Sequence, residues 1–152
     1  MKKTNQQKGF TMIELVVVIV VTGVLAAVAA PKFMGVSSDA RISAMNGIGA
    51  SLTSQASTTH AKSIMEQNEQ EATSTLKVKG VDVDMVFGYP KATSAAIESL
   101  VDLDSEYKIT LGTKALTIAY EGVTTTADCT VIYAEAANKD TAATVTVSTS
   151  SC

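Results

Sequence analysis

The chain opens with a short polar segment that is followed by a long apolar run. Residues 1–9 contain three lysines, whereas the only ionisable side chain between Phe10 and Ala30 is Glu14. As a helix, residues 10–30 would extend for about 31 Å, close to the thickness of a bilayer core. The lysines would keep the first end on the cytoplasmic side of a membrane. The pattern therefore predicts one helix of membrane-spanning length with a single acidic residue near its start.

Beyond the apolar run, apolar residues recur at steps of three and four. This spacing predicts that the helix continues past Pro31 as an amphipathic helix. Its buried face would be formed by Ile42, Met45, Ile48, Leu52 and Ala56. Pro31 removes an internal hydrogen bond and Gly23 lowers helix stability by up to about 1 kcal/mol, so we expect both to act as helix breakers, with a kink at Pro31. The polar segment from Glu66 to Ser74 should end the helix.

The second half of the chain alternates between apolar and polar residues in a way that predicts strands. Residues 75–90 alternate apolar and charged residues and predict a short hairpin that turns at Gly80, with a further turn at Gly88-Tyr89-Pro90. From Tyr107, four Thr- and Val-rich segments predict three or four antiparallel strands that pack on the amphipathic helix. Predicted turns at Gly112, Gly122 and residues 138–140 separate these segments.

A short helix is predicted between the hairpin and these strands, over Ser94–Leu103, with Ser94 as its N-cap. Its buried side would comprise Ala95, Ala96, Ile97 and Leu100. The expected fold class is therefore α+β: one long N-terminal helix, half apolar and half amphipathic, packed on a small antiparallel sheet.

Length, charge and cysteine content narrow the choice of function. The 152 residues suffice for one domain with a modest core, and a net charge of −3 gives no basic surface for nucleic acid. Cys129 and Cys152 are the only cysteines, and no CxxC motif is present, so a zinc site is not expected. In an oxidising compartment a disulfide between them would close a loop of about 24 residues, worth about 3 kcal/mol; the alternative is two free thiols.

The remaining candidate residues give little reason to expect catalysis. His60 lies alone on the predicted helix, without a Ser/Asp or Cys constellation, and reads as a surface or partly packed histidine. The acids at Asp82–Asp84 and Asp102–Glu106 have the spacing of cation ligands, but solvated loop charges explain them more simply. No phosphate-binding loop or nucleophile elbow is present. We expect no enzymatic activity, no metal and no cofactor.

Two positions for proteolytic processing have to be compared. The segment AAVAAP could serve as a signal-peptidase site after the apolar run. Against this, the run is long and leads directly into more helical pattern. A cut between Gly9 and Phe10 would instead leave the apolar helix on the mature chain, with Glu14 as its fifth residue.

The segment KGFTMIELVVVIVVTGVLAAVAAPKF resembles the leader junction and N-terminal helix of a type IV prepilin of the short-leader class (type IVa). In that family a basic leader ends in Gly, Phe follows, and Glu comes four residues later; Gly9, Phe10 and Glu14 match position by position. Gly23 and Pro31 fall where such helices carry their breakers. Three other segments are similar to the mannose-sensitive haemagglutinin (MSHA) pilin group: APKFMGVSSDAR, VFGYPKAT and DCTVIYAEA…VTVSTSSC.

The resemblance implies a major structural subunit, the precursor of a homopolymeric helical filament. A prepilin peptidase would cleave after Gly9 and methylate the amine of Phe10. The chain would then divide into a leader (1–9), a transmembrane and filament-core helix (10–30) and a periplasmic or extracellular head (31–152). An inner-membrane platform and ATPases would assemble the inner-membrane precursor into an extracellular fibre for attachment, surface colonisation and, as a further option, motility. A type II secretion pseudopilin, a minor pilin and a monomeric membrane-anchored binding domain are the alternatives.

Glu14 has two possible roles in this setting. In a bundle of helices its carboxylate can meet the Phe10 amine of a neighbouring subunit, so that both charges are neutralised inside an apolar core. Alternatively, it extends toward the cytoplasmic membrane interface, because it lies only four residues from the start of the helix.

Overall fold

A computed structural model describes residues 10–121 and 129–152, without the side chains of residues 32–36. The chain forms two compact units, one that reaches Ser38 and one that spans Asp39–Cys152. Each unit is described by itself. The elements are α1 (Met12–Met65), β1 (Ser74–Val78), β2 (Val81–Val86), β3 (Tyr89–Pro90), α2 (Ser94–Leu100), β4 (Tyr107–Leu111), β5 (Ala115–Tyr120), β6 (Thr130–Ala134) and β7 (Thr144–Ser148).

Helix α1 confirms the prediction that the helix continues past Pro31. It begins at Met12 and ends at Met65, and neither Gly23 nor Pro31 terminates it. Its segment Met12–Pro31 is long and apolar enough to cross a membrane. The kink expected at Pro31 and the role of Gly23 as a helix breaker remain predictions.

The end of α1 has the geometry of a Schellman motif. Gln67 adopts a left-handed conformation, with φ of 60°. Its N–H donates to the carbonyl of Ile64, and the N–H of Asn68 donates to the carbonyl of Ser63, both at 3.1 Å. These two bonds satisfy carbonyls that a helix end otherwise leaves free. The helix thus stops at the polar segment where the sequence predicted its end.

A three-stranded antiparallel sheet, in the order β1-β2-β3, follows the helix. Lys79 and Gly80 connect β1 to β2 and both have positive φ, as a type I′ hairpin requires. The turn predicted at Gly88-Tyr89-Pro90 is wrong in its position. Phe87 and Gly88 form a second turn with positive φ, and Tyr89 and Pro90 instead form the short strand β3.

Helix α2 is shorter than predicted and starts with a different cap. Thr93, not Ser94, is the N-cap, because its side chain accepts a hydrogen bond from the N–H of Ala96 at 3.3 Å. The burial of Ala96, Ile97 and Leu100 is confirmed, whereas Ala95 is exposed.

The second sheet contains four antiparallel strands in the order β4-β5-β6-β7, and its strands follow the chain as predicted. Its inner face packs with the part of α1 that belongs to the same unit. Met45, Leu52 and Ala56 of α1 lie in one hydrophobic core with side chains of both sheets. Ile42 and Ile48 are half-buried. The turn predicted at Gly122 lies outside the described residues.

Cys129 and Cys152 form a disulfide, with 4.9 Å between their Cα atoms. Cys129 comes directly before β6, and Cys152 follows β7, the neighbouring strand. The bond therefore ties the end of the chain to the start of an inner strand of the sheet, as the sequence predicted.

Candidate functional site

The start of α1 presents an apolar surface that its own unit does not cover. The large apolar side chains from Phe10 to Val28 are between 49% and 93% exposed. No residue of the segment Met12–Pro31 is buried. A surface of this size on a helix requires lipid or another helix as its partner, because leaving it in water forfeits the hydrophobic free energy of burial.

Glu14 is held at the helix start by Thr11. The backbone N–H of Thr11 donates to Oε2 of Glu14 at 2.9 Å, and the Thr11 hydroxyl donates to the same oxygen at 2.7 Å. In return the N–H of Glu14 donates to the Thr11 Oγ1 at 3.3 Å. This reciprocal arrangement is a capping box, in which Thr11 is the N-cap and Glu14 the third helical residue.

Glu14 also borders an open apolar groove. Phe10, Ile13, Val17 and Val18 line this groove together with Glu14, around a cavity of about 400 Å³. Because three- and four-residue steps return to the same face of a helix, these side chains share one side of α1. The groove thus combines a surface for apolar packing with one carboxylate, which can accept a hydrogen bond or pair with a cation.

The structure brings two of the predicted site residues together. Phe10 and Glu14 lie on the same groove, whereas Gly9 lies outside the described residues. Gly23 and Pro31 lie within α1. Thr11 was missed, although the sequence carried its signal: Thr-x-x-Glu before an apolar run is the signature of a capping box.

The other candidate residues from the sequence are His60 and the acidic residues at positions 82–84 and 102–106. His60 is half-buried and stacks on Tyr89, with ring centroids 4.1 Å apart, and its Nδ1 lies 3.3 Å from the carbonyl oxygen of Gly88. It is the partly packed histidine that was predicted, and it supports the turn before β3. Asp82, Asp84, Asp102 and Asp104 are exposed. Across the described residues, no group of three or more His, Cys, Asp and Glu side chains comes close enough to hold a metal ion.

Comparison with known proteins agrees with this geometry. Residues 4–30 match the prokaryotic N-terminal methylation motif. The long apolar helix, the second helix and the antiparallel sheets form an α+β fold that is type IV pilin-like.

Among its relatives is the type IV narrow pilus major component PilA5 of Thermus thermophilus. It is 29% identical over 127 residues, which cover 82% of this chain and 97% of the relative. The type II secretion system core protein G of Escherichia coli is 51% identical, but over only 35 residues, 23% of this chain and 24% of that protein. No solved structure matches the chain significantly. The chain is therefore homologous to a type IV pilin along most of its length, and its likeness to the secretion protein is confined to a short segment.

Proposed function

We propose that this protein is the major structural subunit of a type IV pilus, a surface fibre for attachment and surface colonisation. The observation that carries the proposal is the uncovered apolar helix with a single capped acid, Glu14, near its start. Such a helix can lie in a bilayer as a monomer and can pack against copies of itself in a filament core. The relative PilA5 is a major pilus component, which supports the same role here.

The proposed route begins with a precursor in the inner membrane. A prepilin peptidase cleaves after Gly9 and methylates the new amine of Phe10, and the methylation motif at residues 4–30 supports this step. Residues 1–9 are the leader, 10–30 the transmembrane and filament-core helix, and 31–152 the head. A membrane platform and cytoplasmic ATPases then assemble the subunits into an extracellular fibre, and no step requires catalysis by this chain.

In the filament, Glu14 pairs with the Phe10 amine of a neighbouring subunit. An unpaired charge is costly in an apolar core, about 2.5–3.5 kcal/mol on insertion scales, so only a helix stagger that joins the two groups avoids the penalty. Loss of the three leader lysines changes the formal net charge of the side chains from −3 to −6, which makes the fibre surface acidic. Within type IV pilins, we assign the protein to the MSHA group on the three segments quoted above.

A pseudopilin of the type II secretion system is the second candidate, because 35 residues of the chain are 51% identical to the type II secretion system core protein G. Two observations favour the pilus subunit. The similarity to PilA5 extends over 82% of the chain, and Cys129 and Cys152 close the end of the head with a disulfide. A minor pilin shares the same N-terminal motif, but the small head favours a bulk subunit.

Mass spectrometry of the protein sheared from the surface of the producing cells tests the proposal. We expect a mature chain that starts with N-methylated Phe10 and forms filaments visible by electron microscopy. A chain that starts after Ala30, or one that is never released from the cell, would refute it. Release through another secretion route would yield monomers without filaments.

A further inference from the structure

Strand β4 forms an edge of the four-stranded sheet, and β5 is its neighbour on the other side. Two hydrogen bonds show which residues of β4 bond to β5. The N–H of Gly112 donates to the carbonyl of Ala115 at 2.8 Å, and the N–H of Glu121 donates to the carbonyl of Glu106 at 2.6 Å. Because hydrogen-bonded pairs alternate along an antiparallel ladder, the even-numbered residues of β4 bond to β5.

The odd-numbered residues of β4 therefore carry the open edge. The N–H and carbonyl groups of Ile109 and Leu111 point away from β5, and so does the carbonyl of Tyr107. The N–H of Tyr107 donates to the carbonyl of Asp104 at 3.1 Å. In the described part of the chain, no other strand pairs with this edge. Unpaired backbone groups on an edge strand are a template for a further strand.

The odd-numbered side chains of β4 are apolar and incompletely covered. Leu111 is 58% exposed, and Tyr107 and Ile109 are half-buried at the margin of the hydrophobic core. Lys108 and Thr110 are exposed on the outer face of the sheet. A strand added to this edge would thus gain main-chain hydrogen bonds and cover an apolar side chain that the head leaves in water.

The two ends of β4 carry opposite charges. Asp104 and Glu106 are exposed just before the strand, whereas Lys114 is exposed just after it, in the connection to β5. A second β4 that runs antiparallel places the acidic end of each copy beside the basic end of the other. A second β4 that runs parallel would place acid beside acid, which is destabilising. The charges therefore fit an antiparallel copy of the same strand.

We propose that the open edge of β4 pairs with the same edge of a second copy of this chain, antiparallel and centred on Ile109. This register matches all the residues whose backbone groups point outward, because Tyr107 lies opposite Leu111 of the second copy. Lys108 then lies opposite Thr110, so the two lysines do not face each other. The two four-stranded sheets form one continuous sheet across an isologous contact.

In a fibre this contact joins the heads of two different filaments. An isologous contact requires a two-fold axis, whereas successive subunits of a helical filament meet through heterologous contacts. The pairing of two copies stands on the geometry of β4 alone. The joining of filaments rests on the proposed function and extends it from a single fibre to laterally paired fibres.

Hydrogen exchange at single amides of the full chain in detergent micelles tests the pairing without filaments. The amides of Ile109 and Leu111 should exchange about tenfold more slowly at about 1 mM protein than at about 10 μM, because pairing protects them. The ratio of detergent to protein is kept constant. The Thr110 amide already bonds to β5, so it should exchange equally at both concentrations, and its protection verifies that each variant is folded.

Two sets of variants locate the contact. Leu111→Lys places a charge on the edge and should abolish the slowing. Ile132→Lys is the matched control and should keep it, because Ile132 is 39% exposed on β6, an inner strand. Lys114→Asp places acid beside acid and should also abolish the slowing, whereas Asp104→Lys combined with Lys114→Asp should restore it.

Equal exchange of the wild type at both concentrations would overturn the inference. So would slowing that persists in Leu111→Lys or disappears equally in Ile132→Lys, because β4 would then not be the contact. A charge exchange that fails to restore the slowing would overturn the antiparallel arrangement.

Electron microscopy of sheared filaments tests the consequence for the fibre. The wild type should show laterally paired filaments, and Leu111→Lys should show single filaments at the same yield. Single filaments in the wild type would overturn the joining of filaments. A wild type without any filaments would refute the proposed function, a result distinct from the exchange of the Ile109 and Leu111 amides in micelles.

Discussion

Gly49 lies where helix α1 meets strand β7 in the head. A Cβ atom at this position would be 2.3 Å from Cγ2 of Val147 and 3.9 Å from Cγ1 of Val145. Valine is β-branched and has few rotamers, so Val147 cannot easily turn away. Gly47, two residues earlier on the same helix, has no atom of the described residues within 4 Å of its Cβ position. The two glycines therefore differ in packing while they share the same helix.

Alanine substitutions at these two glycines should change stability in opposite directions. Gly49→Ala should lower the free energy of unfolding by about 1–3 kcal/mol through overpacking. Gly47→Ala should raise it by up to about 1 kcal/mol, because alanine favours the helix and meets no neighbour. Urea unfolding of the full chain in detergent, followed by circular dichroism, measures both. A gain of stability in both variants would contradict the close approach of Gly49 to Val147 of β7.

At the scale of elements, the sequence predicted the features that depend on neighbouring residues. The helix past Pro31, the hairpin at Gly80 and the four later strands follow from local periodicity and turn chemistry. The start of α2 was misplaced by one residue because Thr93 and Ser94 are both good caps, and only the folded backbone selects Thr93. The stacking of His60 on Tyr89 could not be predicted, since it joins residues far apart in the chain.

In the candidate site, too, some features could be predicted from neighbouring residues and others required the folded structure. Phe10 and Glu14 were predicted from a motif of adjacent residues. Thr11 could have been predicted from the same stretch, because its interaction spans three positions. The groove beside Glu14 required the structure, since the spacing of residues indicates which side chains share a face of α1 but not that they surround a cavity of about 400 Å³.

Removal of the disulfide should destabilise the head. Cys152→Ser should lower the free energy of unfolding by about 3 kcal/mol, because the unfolded chain then loses a cross-link between residues separated by 23 positions. Ser151→Ala is the matched control, since Ser151 is exposed and should matter by less than about 0.5 kcal/mol. Reductant should bring the wild type to the stability of Cys152→Ser in the same urea titration. Equal stability with and without reductant would show that the bond does not stabilise the head.

At the scale of the whole head, Tyr133 connects the two sheets. It is a fully buried side chain of β6, and its hydroxyl donates to the carbonyl oxygen of Pro90 in β3 at 2.6 Å. Nearby, Oε2 of Glu135 accepts from the N–H of Ala92 at 2.9 Å. The four-stranded and three-stranded sheets are thus joined by polar contacts as well as by the common hydrophobic core.

The buried position of Tyr133 makes the head sensitive to alkaline pH. Burial raises the pKa of Tyr133, and the negative charge of Glu135 adds to the shift. The pKa of Tyr120 is raised chiefly by its hydrogen bond to Glu106, and that of Tyr107 chiefly by burial. The folded protein therefore holds these phenolic protons more tightly than the unfolded chain. Their contribution to the free energy of unfolding is complete below pH about 10 and is lost as the pH rises beyond that value.

Tyr133→Phe should separate the two roles of this side chain. At neutral pH it should lower the free energy of unfolding by about 1–2 kcal/mol, because the Pro90 carbonyl loses its donor. Above pH about 10 the variant should lose less stability than the wild type, since it has no buried phenol to ionise, although Tyr107 and Tyr120 still titrate. Urea unfolding at pH values on both sides of 10, with phenolate absorbance recorded in parallel, measures the two effects. If both proteins lose stability equally in alkali, groups other than Tyr133 control the alkaline transition, and the hydrogen bond to Pro90 would matter only at neutral pH.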